Sequence, residues 1–380
     1  MNDDRAWQMP DKAKRIVVKV GTSTLTHENG NLHLMRMAHL VQQIADVKNQ
    51  GREIILVTSG AVGAGMGRLG IRQRPKEISA KQALAAVGQG ILMQTYEKHF
   101  GEYGIVVAQV LLTKDDVASR QRYLNARNTL RQILAFGALP IINENDTVTF
   151  DEIKVGDNDT LAAMVAGLAD ADLLVLLSDI DGLYTADPRK DAQAQRIPIV
   201  EEITPSVEAL AGGTGSALGS GGMQTKIAAA RIAVNQGIPM VLTNGSQKNC
   251  LAFLQETAEE SCPGTLFLPK AHPLGSRKGW LAFSTRASGR LLVDAGAAQA
   301  LCLGGKSLLP SGVTGAEGEF ARGEVLEVVA AGKVIARGIS NYGKEELLQI
   351  LGKHSREIER ILGPGQDEEV IHRDNLSLWS

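Results

Sequence analysis

The stretch Arg15-Ile-Val-Val-Lys-Val-Gly-Thr-Ser-Thr24 decides the fold of this chain. Its β-branched run Ile16–Val18 predicts a buried strand, which breaks at the small residues Gly21–Ser23. Backbone N–H groups in such a turn can approach an anion closely, and ligands usually bind at strand ends of this kind in open α/β sheets. Lys19 is therefore the first candidate for a phosphate contact, and the alternative is a solvated lysine on an edge strand.

Composition bounds the class of protein. The 380 residues are 44% hydrophobic and 22% charged, which is ordinary for a soluble globular protein of two domains. A net charge of −2 argues against a general polyanion binder. The polar start Met1–Lys14 and the lack of long apolar runs predict a cytoplasmic protein without a secretory signal. Three widely spaced cysteines predict free thiols rather than disulfides or a zinc site.

Strands and helices alternate to about residue 255, which predicts an α/β fold with a mainly parallel sheet. After the first strand, the predicted strands are Glu53–Val57, Ile105–Val110, Ala138–Ile142, Leu173–Leu177 and Ile238–Leu242. The predicted helices are Asn31–Gln50, Ser79–Phe100, Tyr123–Phe136, Leu161–Leu168 and Ile227–Gln236. Right-handed crossovers then place the loops after parallel strands on one edge of the sheet.

The segment Gly65–Gly70 matches the pattern Gly-x-Gly-x-x-Gly, yet it does not predict a dinucleotide site. Its glycines follow the preceding strand by eight residues, and no acidic residue between Glu77 and Glu97 is placed to bind a ribose hydroxyl. Close helix packing, or close approach to a small substrate, is the better interpretation.

Polar segments follow four predicted strands, and we expect them to meet at one edge of the sheet. These segments are Lys19–Ser23, Thr58–Ala61, Asn143–Thr147 and Ser178–Gly182. The polar segment Asp157–Thr160 precedes a predicted helix. An N-cap needs only one such residue, so the others are candidates for a functional role. The glycine-rich segment 212–222 predicts a flap that leads to Lys226. Lysines and carboxylates without a nucleophile triad or a metal cage indicate phosphoryl transfer.

The chain changes character after residue 262. Prolines and glycines predict a linker at 263–279, after a first domain of residues 1–262. Short alternating runs then predict a small β-domain with a closing helix, Lys344–Leu362, and a polar tail, Gly363–Ser380. Ala300–Ser307 lacks one glycine of a P-loop, and its β-type surroundings argue against nucleotide binding there.

Six motifs, in order and spacing, resemble those of the glutamate 5-kinase family, within the amino acid kinase superfamily. They are Val18–Ser23, Val57–Ala61, Ile142–Asp146, Val155–Asp159, Asp181–Thr185 and Gly221–Lys226. Residues 280–342, with Gly289–Ala297 and Gly318–Gly323, resemble the PUA domain that many bacterial members carry. The resemblance covers nearly the whole chain. It implies an αβα sandwich, a PUA domain over 280–362 and transfer of the ATP γ-phosphoryl to the side-chain carboxylate of glutamate.

The resemblance also implies roles for individual residues. Lys19 and Lys226 would neutralise the transferring phosphoryl group, and Asp159 would orient both lysines. Glutamate would be held by Ser59, Asp146 and Asn158. ATP would be bound by Lys19, Ser178, Asp179, Ser220, Gly221, Gly222, Met223, Gln224, Thr225 and Lys226. Mg²⁺ would be held largely through the phosphates, without a protein cage. Ser178 and Ser220 stand where threonine is common in the family.

Further expectations follow from the same resemblance: feedback inhibition by proline, a homo-oligomer, and association with the next enzyme of proline biosynthesis. Related kinases of aspartate, N-acetylglutamate or a nucleoside monophosphate are alternatives, because a fold alone does not choose the acceptor. A PUA-type RNA-binding protein is another. Residues 280–342 carry six basic and five acidic side chains, a net of +1, which makes RNA binding unlikely.

Overall fold

The structure is a computed structural model that describes residues 7–27, 29–149, 158–211, 222–254, 263–270, 287–353, 355–363 and 367–378. The predicted flap, with Ser220 and Gly221, lies outside the described residues except for Gly222. Cys262 and Asp157 lie outside them as well. The chain divides into an N-terminal unit, Met1–Pro273, and a C-terminal unit, Leu274–Ser380.

Within the described residues of the N-terminal unit, strands lie close to all six predicted positions, and four further short strands are present. In chain order they are β1 (Arg15–Val20), β2 (Glu53–Val57), β3 (Val107–Leu112), β4 (Leu139–Glu144), β5 (Leu173–Ser178), β6 (Leu183–Tyr184), β7 (Arg196–Ile197), β8 (Ile199–Val200), β9 (Met240–Asn244) and β10 (Gly264–Phe267). The largest differences are shifts of about two residues, as at β3 and β9, because apolar runs define a strand better than they define its ends.

Helices connect these strands. In chain order they are α1 (Gln8–Asp11), α2 (Thr22–Leu25), α3 (Leu34–Asn49), α4 (Ala61–Leu69), α5 (Ile78–Gly101), α6 (Lys114–Ala118), α7 (Arg120–Ala135), α8 (Asn158–Leu168), α9 (Pro205–Ala209) and α10 (Met223–Asn235). Helix α8 begins three residues before the predicted start, so Asn158 and Asp159 lie in its first turn.

Eight strands of the described chain form one sheet in the order β3-β4-β2-β1-β5-β9-β10-β8. The pairs from β3 to β9 are parallel, and β10 is antiparallel to β9. The carboxyl ends of β1, β2, β4 and β5 therefore meet at one edge, as predicted. Strand β1 is interior and Lys19 is 7% exposed, so the alternative of a solvated lysine on an edge strand is wrong.

Helices α4 and α5 pack with their backbones in close approach. A Cβ atom on Gly65 would collide with the carbonyl oxygen of Leu84, and one on Gly88 would collide with that of Ala61. Gly65 belongs to the Gly-x-Gly-x-x-Gly segment, so the interpretation as close helix packing is confirmed there. The contact fixes α5 against the helix that follows the β2 loop.

The Gly88 contact generates a stability prediction. Gly88→Ala is expected to lower the free energy of unfolding by about 1–3 kcal/mol, because the added methyl group forces two helix backbones apart. Urea denaturation followed by circular dichroism measures the change. Gly90→Ala is the control: it lies in the same helix with no atom within 4 Å of its added Cβ. Its helix propensity predicts a gain of up to about 1 kcal/mol, so equal losses in both variants would contradict the packing argument.

The C-terminal unit is built on a second sheet. Its elements, in chain order, are β11 (Gly289–Val293), α11 (Ala295–Cys302), β12 (Val313–Gly318), β13 (Val325–Ala330), β14 (Lys333–Ile339), α12 (Lys344–Ile350), α13 (Ser355–Leu362) and β15 (Leu376–Leu378). The sheet order is β12-β11-β13-β14-β15. Buried side chains such as Leu326, Val328 and Tyr342 form its own core.

Three boundaries differ from the predictions. The predicted linker 263–279 begins with β10, which pairs with β9 and so belongs to the first sheet. The predicted closing helix is two helices, because Gly352 adopts a positive φ of 70° between them. The predicted polar tail supplies β15 and buries Val370 and Ile371. Short apolar runs flanked by charged residues concealed that last strand.

No helix in the described part of the chain is both long enough and apolar enough to cross a membrane. Cys250 and Cys302 are free thiols, in agreement with the prediction made for the cysteines.

Candidate active site

One buried carboxylate joins two buried lysines. The Lys19 Nζ lies 2.5 Å from Oδ1 of Asp159, and the Lys226 Nζ lies 3.2 Å from Oδ2. Asp159 is 1% exposed and the lysines 7% and 5%. The Thr225 hydroxyl lies 3.1 Å from the same Oδ2 atom. The sequence-predicted catalytic residues Lys19, Asp159 and Lys226 are therefore brought together, and we call them the lysine–aspartate triad.

The topology explains how three distant residues meet. Lys19 is the fifth residue of β1, at its carboxyl end, and Asp159 lies in the first turn of α8. Lys226 lies in the first turn of α10, which packs beside α8. The chain turns from one side of β1 to the other between β4 and β5, and such a switch point opens a crevice at the carboxyl ends of the strands. The triad lies at this switch point.

The charges of the triad determine its protonation. Burial alone would raise the pKa of the Asp159 carboxyl, yet the two lysine ammonium groups outweigh it and lower that pKa to about 2. Asp159 is therefore ionised at neutral pH. One negative charge then lies between two positive ones, which leaves a net charge of +1 for an anionic ligand.

Removal of the central carboxylate is expected to destabilise the fold. Asp159→Asn leaves two buried ammonium groups without a counter-ion, which predicts a loss of about 3–5 kcal/mol in the free energy of unfolding at pH 7. The native pKa of Asp159 is depressed, so its stabilisation is present above the ordinary value of 3.8 and is lost as the pH falls toward 2. Urea denaturation of both proteins between pH 7 and pH 3 measures the difference, which is expected to shrink below pH 4.

A surface ion pair supplies the control for this experiment. Asp170 pairs with Arg131 at 2.6 Å, and both side chains are well exposed. Asp170→Asn is expected to change the free energy of unfolding by less than about 1 kcal/mol. A loss of similar size in both variants would show that burial does not set the strength of the triad.

Asn158 organises a second cluster beside the triad. Its Nδ2, with two hydrogens to donate, lies within hydrogen-bond distance of three acceptors: the Thr58 carbonyl oxygen at 2.6 Å, the Ser59 hydroxyl at 2.8 Å and Asn143 Oδ1 at 2.9 Å. Asn143 Nδ2 in turn donates to Gln89 Oε1 at 2.9 Å. The end of β4, the segment after β2, the first turn of α8 and helix α5 are thereby linked by side-chain amides, and we call Gln89, Asn143 and Asn158 the amide chain. The predicted substrate residues Ser59 and Asn158 are in direct contact.

Tyr96 contacts the turn after β2, which contains Thr58 and Ser59. Its hydroxyl lies 2.9 Å from Thr58 Oγ1, and both residues are fully buried. Burial raises the pKa of the Tyr96 phenol, which stays neutral. Gly60 follows with a φ of 97°, a conformation that favours glycine, and is the N-cap of helix α4, which begins at Ala61. The turn after β2 is therefore held by hydrogen bonds on one side and by glycine geometry on the other.

The remaining predicted site residues that the structure describes are not joined to the triad or to the amide chain by side-chain hydrogen bonds or ion pairs. Among the described residues, no hydrogen bond or ion pair joins Asp146 to Ser59 or Asn158. Burial raises the pKa of the Asp146 carboxyl, and the nearby Arg74 opposes this. The Ser178 hydroxyl donates to Asp179 at 3.0 Å at the carboxyl end of β5. Gly222 precedes α10, which begins with Met223 and Gln224.

Sequence reasoning missed Gln89 and Tyr96 as members of the site. Both lie within the helix that the sequence predicted, where they stand seven residues apart, as do Gln82 and Gln89. Seven residues are about two helical turns, so these polar side chains share one face. That spacing was the available signal, although an amphipathic surface helix shows it too.

Comparisons with known proteins fit this geometry. Residues 14–244 match the amino acid kinase family, and residues 289–362 match the PUA domain. The mainly parallel sheet and the strand-rich C-terminal unit agree with these two matches. The chain belongs to the amino acid kinase family and carries a PUA domain.

Close relatives narrow the assignment within that family. A protein of Moorella thermoacetica is 53% identical, and the match covers 96% of each chain. One of Carboxydothermus hydrogenoformans is 54% identical, over 96% of this chain and 97% of that protein. One of Geobacter sulfurreducens is 50% identical over similar shares, 96% and 97%. All three are named glutamate 5-kinase, and the chain belongs to this group of kinases.

Proposed function

We propose that this protein transfers the γ-phosphoryl group of ATP to the side-chain carboxylate of L-glutamate, giving L-glutamyl 5-phosphate and ADP. The observation that carries the proposal is the lysine–aspartate triad at the switch point of the sheet. Phosphoryl transfer requires positive charge around the phosphoryl oxygens and an acceptor in line, with little covalent participation by the protein. The names of the relatives supply the acceptor, since the fold does not choose it.

The triad suits this chemistry in two ways. Asp159 holds two ammonium groups that would otherwise repel each other, so their charge is in place before the nucleotide arrives. Lys19 and Lys226 approach Asp159 from two different elements. We place the phosphoryl group where both ammonium groups can contact its oxygens. No general base is required, because the γ-carboxylate of glutamate is already ionised at pH 7.

We place the nucleotide on the side of β5 and α10, with Ser178, Asp179 and the segment from Ser220 to Lys226 as its binding residues. Magnesium enters with the nucleotide as part of the substrate. Within the described residues, no group of three or more His, Cys, Asp or Glu side chains is arranged to hold a metal ion. Phosphate oxygens are suitable ligands for Mg²⁺, which favours a metal carried by ATP.

A product assay tests the proposal directly. The purified protein is incubated with ATP, Mg²⁺ and hydroxylamine, which converts an acyl phosphate into a hydroxamate. We expect a hydroxamate with L-glutamate and none with L-aspartate or N-acetyl-L-glutamate. A hydroxamate from aspartate or N-acetylglutamate alone would assign a different acceptor.

Each lysine of the triad is expected to contribute to the chemical step. Lys19→Ala or Lys226→Ala is expected to lower kcat about 100-fold or more, because a group that stabilises transition-state charge is lost. Initial rates at saturating ATP and glutamate measure the effect. A kcat within about threefold of wild type, a difference of under about 1 kcal/mol, would remove that lysine from the mechanism.

Asp146 is proposed to bind the α-ammonium group of glutamate. Asp146→Ala is expected to raise the KM for glutamate about tenfold or more and to leave the KM for ATP near that of wild type, because a charge-assisted hydrogen bond is lost from one substrate. Steady-state kinetics with each substrate varied in turn separate the two. An unchanged glutamate KM would show that this carboxylate does not hold the substrate.

We further propose that the reaction is the first step of proline biosynthesis, that proline inhibits it at a site overlapping that of glutamate, and that the protein is a homo-oligomer. The pathway rests on the resemblance of the sequence motifs to the glutamate 5-kinase family. Inhibition by proline that rising glutamate relieves would support the overlap, and inhibition that glutamate leaves unchanged would contradict it.

A further inference from the structure

Helix α5 presents polar side chains to β4 and the stretch after it, and to the segment after β2. Gln82 Nε2 donates to the Thr149 carbonyl oxygen at 3.1 Å, Gln89 accepts from Asn143, and Tyr96 contacts Thr58. The Nε2 atom of Gln82 and the hydroxyl of Tyr96 each have a hydrogen-bond partner. Gln89 differs, because its Nε2 atom is buried and has no hydrogen-bond partner among the described residues.

Backbone groups fix the direction of the amide chain. The Glu144 N–H is always a donor, and it donates to Asn143 Oδ1 at 2.9 Å. Asn143 must therefore present its Nδ2 to Gln89, and Gln89 must answer with its oxygen. The Nε2 of Gln89 is left as a buried donor by this sequence of bonds rather than by a choice of side-chain orientation.

The other end of the amide chain is fixed in the same way. The Thr58 carbonyl is always an acceptor, so Asn158 must direct its Nδ2 toward it. Asn158 Oδ1 is then a buried acceptor, and it has no partner among the described residues. The chain thus ends in an acceptor beside the triad and in a donor at Gln89.

A buried amide donor without a partner costs about 1–3 kcal/mol, which makes it unusual in a purely structural role. To hold Asn143, residue 89 needs an oxygen and no more. We therefore propose that Gln89 Nε2 binds the α-carboxylate of the amino-acid substrate and helps to select for it, an inference that rests on the proposed function.

The position along the amide chain decides which carboxylate Gln89 binds. Asn158 adjoins Asp159, so this end of the chain lies at the triad, where the reacting γ-carboxylate must be. Gln89 is two side chains further on, beyond Asn143. An N–H donor also cannot bind the α-ammonium group, which is itself a donor. The remaining group of the substrate is the α-carboxylate.

Gln89→Glu separates this role from simple support of Asn143. The variant keeps the oxygen that accepts from Asn143 and replaces the Nε2 donor by an acceptor. We expect the KM for glutamate to rise about tenfold or more while the KM for ATP stays within about threefold, because an acceptor then faces the α-carboxylate. Gln89→Met, which has no donor, is also expected to raise the glutamate KM.

The α-amide of glutamic acid gives a readout that a structural defect would not move. This compound keeps the γ-carboxylate and offers an N–H donor in place of one α-carboxylate oxygen. We expect the ratio of its inhibition constant, or of its KM if it is phosphorylated, to the glutamate KM to be about tenfold or more lower in Gln89→Glu than in wild type. Gln82→Glu, seven residues earlier on the same helix, is the matched control and is expected to leave this ratio unchanged.

The outcomes separate the two proposals. A glutamate KM within threefold of wild type in both Gln89 variants would overturn the role of Gln89, as would equal losses for glutamate and its α-amide. Neither result touches the proposed function if the wild-type protein forms the glutamate hydroxamate. Failure of the wild-type protein to form that product would instead remove the proposed function, and the assignment to Gln89 with it.

Discussion

The carboxylate of Asp159 between two buried lysines is the constraint on which the rest of the N-terminal unit depends. Two ammonium groups at this depth are costly without a counter-ion, and the counter-ion is costly without them. The three residues come from a strand and two helices that are far apart in the chain. The parallel sheet with β1 at its interior, and the packing of α8 beside α10, are what bring them within ion-pair distance.

The amide chain connects the region of the triad to the segments that follow β2 and β4. Its polarity comes from a backbone N–H and a backbone carbonyl, which cannot exchange roles, so each amide between them has one orientation. Helix α5 supplies one end of the chain, and its approach to α4 depends on Gly88, where any side chain would meet the Ala61 carbonyl. Close helix packing and the geometry of the crevice are therefore parts of one arrangement.

The sequence predicts the sheet for physical reasons, whereas the grouping of the triad was implied by the family resemblance. Buried parallel strands are apolar throughout, so Lys19 stands out in β1, and polar segments stand out where such strands end. Gln89 and Tyr96 do not stand out, because their roles depend on which loops α5 faces, and that is tertiary information. The same holds for β15: Leu376 and Leu378 flank a serine in a charged segment, and pairing with β14 makes them a strand. The break at Gly352 was visible as a glycine but not as the left-handed turn it adopts.

Strand β15 has a consequence for the order in which the protein can be made. It is hydrogen-bonded along β14, whose other neighbour is β13, so it forms one border of the second sheet. During synthesis β11 to β14 leave the ribosome before residues 376–378. Until those residues emerge, β14 has an unpaired edge, which is a template for another chain. Strand β15, the last strand in the described part of the chain, therefore covers residues 336–338 of this edge and leaves a border strand of only three residues, which limits edge-to-edge association.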